Sequence, residues 1–366
     1  MTPVAVPGPG QLKERIAREV DRAVRRGRNG LRYAAGTKRL KVGQTPKDVV
    51  WQQDKAQLWR YRGAKIRYRQ PLVIVHSLVS RSYVLDLYPG NSVVGFLQDA
   101  GFEVLLLDWG EADEVDSHNT LETYVDEYVP AALAAACEST GAEAVTAMGY
   151  CMGGLLALLS VARDPQLPVH NLVTMATPID FEPLWAATAM LQQGRLEPDD
   201  VLDDTGNVPA DAIARGFKML TPTADLVQYA TLWQNLWNDE YVDGFQAMGQ
   251  WAGDHVPFPG ATMRQLVEDL IRRNALVEGT LRLGGRDVDL GAVTCPVLNV
   301  LAEFDHIVPT AGSEPLTRLV GSADVEELRL RAGHVGLVAG RAANKISLPH
   351  IAAWMQAHSD PIEEAA

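Results

Sequence analysis

Residues 145–154 read VTAMGYCMGG, and this stretch decides the fold. Its first six residues form an apolar run typical of a buried strand, and the leucine-rich run at 152–162 is typical of a helix. Residues 149–153 between them have the G-x-nucleophile-x-G pattern of a strained strand-to-helix turn, with Cys151 in the nucleophile position. The positive N-terminal end of the helix would favour a thiolate there. We therefore predict a nucleophilic Cys151; a buried structural cysteine in a glycine-rich turn is the alternative.

Around this turn, short apolar runs alternate with helical stretches. The alternation continues to about residue 181 and resumes at about Cys295 with two more strands and a final helix ending near His358. Continuous apolar strands separated by helices are typical of a mostly parallel sheet with helices on both faces. The fold class is therefore predicted to be α/β. The predicted strands before the break are two segments within 49–61, then 71–76, 102–110, 145–150 and 171–178, and the predicted helices are 92–101, 121–141 and 152–162.

The hundred residues within the break read as helices with many large side chains and no strand pattern. Such an insertion before the last strands is most simply a helical cap, or lid, over the C-terminal edge of the sheet, where α/β sheets place their sites. A scaffold with no role in access is the alternative. The predicted domains are a basic arm at 1–45, a core at 46–182 and 290–366, and the cap at 183–289. The large cap side chains are Trp185, Phe217, Met219, Tyr229, Trp233, Trp237, Phe245 and Trp251.

Composition excludes several classes of protein. The chain has 366 residues, of which 47% are hydrophobic and 22% charged, so it can bury a sizeable core. The net charge of -13 argues against nucleic-acid binding. No transmembrane or secretory segment is evident, which predicts a cytoplasmic protein. The three cysteines and the absence of cofactor motifs predict no disulfide framework, no metal and no cofactor.

The N-terminal arm has the opposite charge to the rest. Between residues 13 and 41 there are 11 Lys and Arg against three acidic residues, so this segment carries +8 and the remainder about -21. An apolar residue at every fourth position predicts a weakly amphipathic helix, which we expect to fray near Gly27 and Gly30. The arm is either a solvated helix against an acidic body or a docking element. The apolar positions are Leu12, Ile16, Val20 and Val24.

Two late segments supply an acid and a histidine. Asp305 lies just past the strand pattern in PVLNVLAEFD (296–305), and His334 lies just past that in EELRLRAGH (326–334). The order nucleophile, acid, histidine is that of an α/β-hydrolase triad. We predict that His334 takes the proton from Cys151 and that Asp305 orients His334. In this fold the oxyanion is bound by two backbone N–H groups, predicted here as those of Met152 and Val79 or a neighbour of Val79.

Other candidates are weaker. His76 ends an early strand beside the predicted oxyanion loop, so a supporting or substrate-contact role is favoured over that of a base. Asp108 stands in the wrong chain order for a triad acid. Cys137 and Cys295 are expected to be buried. The histidines without a surrounding motif are expected at the surface or as caps, and they are His118, His170, His255, His350 and His358.

Several segments together resemble a known family. TPKDVVWQQDKAQLWRY, LVSRSYVLDL, GFEVLLLDWG, GYCMGG, NLVTMATPIDF, VDLGAVTCPVLNVLAEFDHIVP and AGHVGLVAG occur in the order and spacing of the catalytic subunit of class III polyhydroxyalkanoate synthases, from about Thr45 to Trp354. The resemblance implies that Cys151 carries the acyl group, with Asp305 and His334 as its partners. It also implies that His306 accompanies the aspartate. Ser80, beside the predicted oxyanion donor, stands where the family commonly has Asn.

The resemblance further implies a substrate and partners. The substrate would be an (R)-3-hydroxyacyl-CoA, expected to be 3-hydroxybutyryl-CoA, with polyester and free coenzyme A as products and no cofactor. The partners would be the growing polyester, a second synthase subunit, a second copy of this chain and the granule surface, to which the arm could dock. Cysteine suits this chemistry, because it exchanges one thioester for another of similar energy. The alternatives are a cysteine hydrolase of esters or lactones and a non-catalytic granule protein.

Overall fold

A computed structural model describes residues 9–35, 40–63, 65–184, 186–220 and 224–362, and its centre is an eight-stranded sheet. The strand order is β1-β2-β4-β3-β5-β6-β7-β8. The pairs β1–β2 and β2–β4 are antiparallel, and all other neighbours are parallel. The mostly parallel α/β fold predicted from the sequence is confirmed. The strands are β1 Lys47–Gln53, β2 Ala56–Tyr61, β3 Leu72–Val75, β4 Val104–Asp108, β5 Val145–Tyr150, β6 Val169–Met175, β7 Val297–Ala302 and β8 Val325–Leu330.

Strand β3 is apolar on both faces because helices cover both sides of the sheet. Along β3, Val73 and Val75 pack into one hydrophobic cluster, and Leu72 and Ile74 pack into the other. All four side chains are fully buried. Successive strand residues point to opposite faces, so a strand buried on both sides favours a continuous apolar run. This is the pattern from which the fold was predicted. The buried polar residues of the neighbouring strands are hydrogen-bonded, as Asn171 is to Thr146 and Thr174 is to Asn299.

Thirteen α-helices and several shorter turns connect the strands within the described residues. The α-helices are α1 Pro9–Ala34, α2 Val93–Asp99, α3 Val129–Thr140, α4 Met152–Arg163, α5 Ala186–Gln192, α6 Ala210–Leu220, α7 Ala224–Asn235, α8 Asp239–Ala252, α9 Gly260–Gln265, α10 Thr310–Ser313, α11 Leu316–Leu319, α12 Gly340–Ala342 and α13 Leu348–Ala357. Segments Thr123–Tyr128, Leu266–Arg272 and Ala343–Ser347 are π-helical. The 3₁₀ turns are Ser82–Leu85, Val115–His118, Pro198–Val201, Leu290–Ala292 and Val335–Leu337.

Residues 183–289 contain helices α5 to α9, but the expectation of no strands there was wrong. Asn207–Val208 pairs with Phe258–Pro259, and Arg282–Leu283 pairs with Arg286–Asp287. Strands of two residues are too short to show an alternating pattern in sequence. A similar short pair lies outside the cap, where the strand Asn91–Ser92 pairs with the strand Asp86–Tyr88.

The large cap side chains do not all face the core. Met219, Tyr229 and Trp233 are exposed, whereas Trp251 packs against the cluster that includes Cys151. Trp185 lies outside the described residues. The assignment of 183–289 as a lid therefore rests on the elements near the site, and the domain bounds stay a prediction.

Helix α1 continues through Gly27 and Gly30 to Ala34, so the expected fraying is wrong. The reason is a tertiary contact. Asn29 is completely buried, and its Nδ2 donates to the Leu236 carbonyl and to Asp239 Oδ1, both at 2.7 Å. A buried amide group bonded in this way stabilises a helix that glycine would otherwise weaken.

Ion pairs extend this contact between α1 and α8. Arg28 binds Asp239 at 2.7 Å, and Arg32 binds Asp243 at 2.8 Å. The hydrogen bonds from Arg28 and Asn29 lower the pKa of Asp239 below its ordinary value. Acidic side chains of the cap therefore balance part of the arm's positive charge.

The apolar stripe of α1 is only partly described. Val20 and Val24 are 58% and 66% exposed, and Leu31 is 76% exposed. The side chains of Leu12 and Ile16 lie outside the described residues. In the described part of the chain, no helix is long and apolar enough to cross a bilayer.

We expect Asn29→Ala to loosen α1 from α8. The substitution removes two hydrogen bonds and takes the donor from the Leu236 carbonyl at a buried contact, a change that costs about 1–3 kcal/mol, whereas Asp239 keeps Arg28. Limited trypsin digestion should cleave faster within 9–35, and the melting temperature should fall. Val20→Ala, at an exposed position of the same helix, is the control and should match the wild type. Unchanged digestion of the Asn29 variant would contradict this account of the docking.

Candidate active site

The turn between β5 and α4 places Cys151 in a strained conformation. Cys151 has φ 54 and ψ -125, in a region that costs a residue with a Cβ roughly 1–3 kcal/mol. Its backbone N–H donates to the Met175 carbonyl of β6 at 2.8 Å, which fixes the turn to the neighbouring strand. The side chain is partly exposed, at the first turn of α4. A strained, accessible sulfur at a helix N-terminus is the arrangement of a nucleophile elbow.

The glycines around Cys151 are required by close packing. A Cβ on Gly153 would collide with the Val75 carbonyl of β3, and one on Gly154 would collide with the Thr177 hydroxyl. A Cβ on Gly149 would meet the backbone of Gly154. Helix α4 therefore starts in direct contact with the ends of the central strands. This explains physically why the pattern needs glycine at these positions.

His334 lies between Asp305 and Cys151. Its Nδ1 donates to Asp305 Oδ2 at 2.7 Å, and the neighbouring Cys151 sulfur raises the pKa of the ring. The other Asp305 oxygen accepts the backbone N–H groups of Ile307 and Val308, both at 2.8 Å. The structure thus brings together the three residues predicted as a triad.

The charge of His334 is set by its neighbours. Burial would lower its pKa, but the adjacent Cys151 sulfur and the bonded Asp305 carboxylate together raise the pKa of His334 to about 10. The imidazolium therefore persists from acid through neutral pH and is lost only as the pH rises through that value. A negative sulfur beside an imidazolium is the activated state of a cysteine nucleophile.

Tyr150 supports the His334 ring, a contact that the sequence analysis missed. The two ring centroids are 5.1 Å apart, and the Tyr150 hydroxyl donates to the His334 carbonyl at 3.3 Å. Burial raises the pKa of Tyr150 well above its ordinary value, so the phenol stays neutral. The position of Tyr150 directly before Cys151 was the available signal in the sequence, because a side chain at this point of the elbow is buried beside the site.

The loop 76–81 lies beside this centre and is held by ring N–H groups. His76 Nε2 lies 3.1 Å from the Ser80 carbonyl and 3.2 Å from the Ser80 hydroxyl. Burial lowers the pKa of His76 to about 4, an effect that Asp108 offsets only in part. His76 is therefore neutral and supports the loop, as the sequence analysis favoured, and Ser80 is its partner.

His255 is not a plain surface or capping residue, so that expectation was wrong. Its Nδ1 lies 3.1 Å from the carbonyl of Val79, 176 residues away in the chain. The contact was invisible in sequence because no motif surrounds His255. Val79 is half-buried in this loop, and Met152 is the first residue of α4. Their N–H groups as oxyanion donors stay a prediction.

The remaining candidates lie outside the triad. His306 is exposed beside Asp305, and Asp108 accepts hydrogen bonds from Ser82 and from the Gly110 N–H. Cys137 and Cys295 are only partly buried and pack against the core, and all three cysteines are free. His118, His170 and His350 are exposed, and His358 stacks on Trp354 at 4.0 Å. Within the described ranges, no group of three or more His, Cys, Asp or Glu side chains could hold a metal ion.

Comparison with known proteins gives the chain its relatives. Residues 70–338 match the family described as alpha/beta hydrolase fold, and residues 11–97 match the poly-beta-hydroxybutyrate polymerase (PhaC) N-terminus. The chain is 34% identical to the poly(3-hydroxyalkanoate) polymerase subunit PhaC of Allochromatium vinosum, over 89% of this chain and 92% of the relative. It is 33% identical to the subunit of the same name from Haloferax mediterranei, over 88% of this chain but 66% of that relative.

A solved structure supports the fold alone. The crystal structure of a putative aryl esterase from Burkholderia cenocepacia matches with a TM-score of 0.51 at 13% identity. The match covers 86% of this chain and 99% of the esterase.

The raised pKa of His334 predicts how Cys151 reacts with iodoacetamide. In the wild type the alkylation rate should stay nearly constant from about pH 6 to 9, because His334 remains protonated beside the sulfur below its pKa of about 10. In His334→Gln the rate should be lower at pH 6 and climb with pH as for an ordinary thiol with a pKa near about 8.5. Mass spectrometry of the Cys151 peptide gives the rate. A wild-type rate that climbs steeply over the same range would refute the ion pair.

Proposed function

This chain belongs to the poly(3-hydroxyalkanoate) polymerase family and is an acyltransferase of the α/β-hydrolase fold, and we propose that it polymerises (R)-3-hydroxyacyl-CoA through an acyl thioester on Cys151. The observation that carries the proposal is His334, which donates to Asp305 and whose pKa is raised by the neighbouring Cys151 sulfur. The preferred substrate is proposed to be 3-hydroxybutyryl-CoA, and the reaction needs no cofactor beyond this thioester.

In the first half-reaction the Cys151 thiolate attacks the thioester carbonyl. A sulfur–carbon bond forms to Cys151, the bond to the coenzyme A sulfur breaks, and the departing thiolate takes the proton of the His334 imidazolium. The carbonyl oxygen becomes negative in the transition state. We assign its stabilisation to the N–H groups of Met152 and Val79, which would be worth about 10²–10³ in rate for each donor.

In the second half-reaction the 3-hydroxyl of the next monomer or of the growing chain attacks the acyl group on Cys151. The hydroxyl proton passes to His334, which is now neutral, an ester bond forms, and the Cys151 thiolate returns. Asp305 stabilises the imidazolium that reappears. Serine in place of cysteine would hold the acyl group as a more inert oxygen ester, so the thiol suits an enzyme that keeps acyl groups for transfer.

Transfer to a hydroxyl requires that water stay out of the site. Trp251 at the end of α8 packs against the same cluster as Cys151, and the segment after α8 contacts loop 76–81. These contacts support a cap that covers the site and excludes water. They disfavour a hydrolase of esters or lactones, and the intact set of Cys151, Asp305 and His334 disfavours a non-catalytic granule protein.

The partners follow from the names of the relatives. Both relatives described above are named as subunits, which supports a second synthase subunit for this chain. We further propose a homodimer, a cytoplasmic location and association with the polyester granule. Helix α1, with exposed Val20 and Val24 among arginines, is the proposed docking element for the second subunit or the granule.

The test of this function is coenzyme A release from 3-hydroxybutyryl-CoA together with the identity of the product. Polymer is expected, and Cys151→Ala should lower the rate by about four orders of magnitude or more, as expected for loss of a nucleophile. Cys137→Ala, on α3 and outside the site, is the matched control and should keep wild-type activity. Free 3-hydroxybutyrate as the product would identify a hydrolase instead.

Asp305 and His334 should differ in which half-reaction they limit. His334→Gln removes the group that holds and moves the proton, so acylation of Cys151 should be blocked. Asp305→Asn should still be acylated once but fail to elongate, because the negative partner of the imidazolium is gone. Intact-mass measurement after one turnover distinguishes the two. Equal loss of both steps in both variants would show that the division is wrong.

A further inference from the structure

The last turn of α8 and the segment that follows it contact loop 76–81 at several independent points. Trp251 Nε1 donates to the Arg81 carbonyl at 2.9 Å. His255 and Ser80 are paired as an antiparallel backbone bridge. With the bonds already described at Val79 and Ser80, three consecutive carbonyls of the loop face ring nitrogens. Two of those rings come from the cap and one from the core.

Asp254 adds a side-chain latch to the same junction. Its Oδ2 accepts the Tyr83 hydroxyl at 3.0 Å, and its Oδ1 accepts Arg81 Nε at 3.4 Å. Arg81 is held in turn by Glu111 at 2.7 Å. Tyr83 lies two residues after the loop, so this latch connects the C-terminal end of the loop to the cap.

We propose that His255 is a positioning residue for acyl transfer. Its hydrogen bond holds the Val79 backbone, so that loop 76–81 adopts its oxyanion-binding conformation only when the cap is in contact with the loop. The inference rests on the proposed function, in which Val79 supplies an oxyanion donor. His255 does not touch the reacting atoms; it acts through the loop.

Hydrogen-bond chemistry shows which atom donates and which peptide group the bond holds. A carbonyl oxygen can only accept, so His255 Nδ1 carries the proton and donates to Val79. Because the peptide group is planar, holding this carbonyl fixes the peptide that joins Val79 to Ser80 and limits rotation about the Val79 backbone. A misplacement of about 1 Å in a catalytic group can cost about 10²-fold in rate.

Two substitutions of His255 separate its hydrogen bond from its packing. The ring stacks on Phe217 with centroids 5.3 Å apart and planes 7° apart. His255→Phe keeps a ring against Phe217 but has no donor, whereas His255→Asn places an amide N–H near the position of Nδ1. In a coenzyme A release assay with 3-hydroxybutyryl-CoA, kcat of the Phe variant should fall about 10- to 100-fold, with KM within about twofold. The Asn variant should recover most of that loss.

Further readouts exclude a merely structural effect. Alkylation of Cys151 by iodoacetamide forms no oxyanion, so its rate should be unchanged in both variants. His350→Phe is the matched control, since His350 in α13 also has its Nδ1 facing a carbonyl, that of Ile346 in the preceding π-helical segment at 2.7 Å. It should leave kcat at the wild-type value. Tyr83→Phe, which loosens the latch without touching His255, should lower kcat in the same direction by a smaller factor.

Three results would overturn the inference. The first is a wild-type kcat in His255→Phe. The second is an equal loss of kcat in the Phe and Asn variants together with a lowered melting temperature. The third is a loss of the Cys151 alkylation rate in the variants that matches their loss of kcat. If His255→Phe does not fold, a wild-type kcat in Tyr83→Phe is the result that counts against it. A wild-type enzyme that releases no coenzyme A would instead reject the proposed function, so the two failures are distinguishable.

Discussion

The close approach of helix α4 to the ends of β3 and β5 is the constraint on which the site depends. It leaves no space for a Cβ at Gly153 or Gly154 and forces Cys151 to a positive φ. The packing of the fully buried strands beneath the turn, among them β3 with apolar side chains on both faces, offsets the energy of this strain. A looser sheet would let the turn relax and carry the sulfur away from His334. The elbow is thus a property of the whole core rather than of six residues.

Electrostatics at the centre follow from the same burial. With little solvent around His334, the neighbouring negative groups at Cys151 and Asp305 determine its charge, and their attraction outweighs the cost of burying the imidazolium. His76, the residue directly after β3, stays neutral because it is buried and has no bonded carboxylate. Two buried histidines in one site therefore differ in charge through their partners alone.

Features encoded by hydrophobic periodicity or by the order of motifs along the chain were predicted from the sequence. Features that depend on a single contact between residues distant in the chain were missed. The sheet, the elbow at Cys151 and the meeting of Asp305 with His334 were predictable, because apolar runs and chain order encode them. The persistence of α1 past Gly27 and Gly30 was not, since it depends on Asn29 meeting a helix about 210 residues away. The contact of His255 with Val79 likewise has no local pattern. The two-residue strand pairs of the cap are too short for periodicity to reveal.

Helix α8 touches both the basic helix and the loop beside the nucleophile. Asp239 and Asp243 in its first turns bind the arginines of α1, and Trp251 near its last turn binds the Arg81 carbonyl. Its 14 residues span about 21 Å and behave as a stiff rod. Contacts at the two ends of α8 therefore place one continuous helix between α1 and loop 76–81, so that a surface segment and a loop beside the nucleophile share a single support.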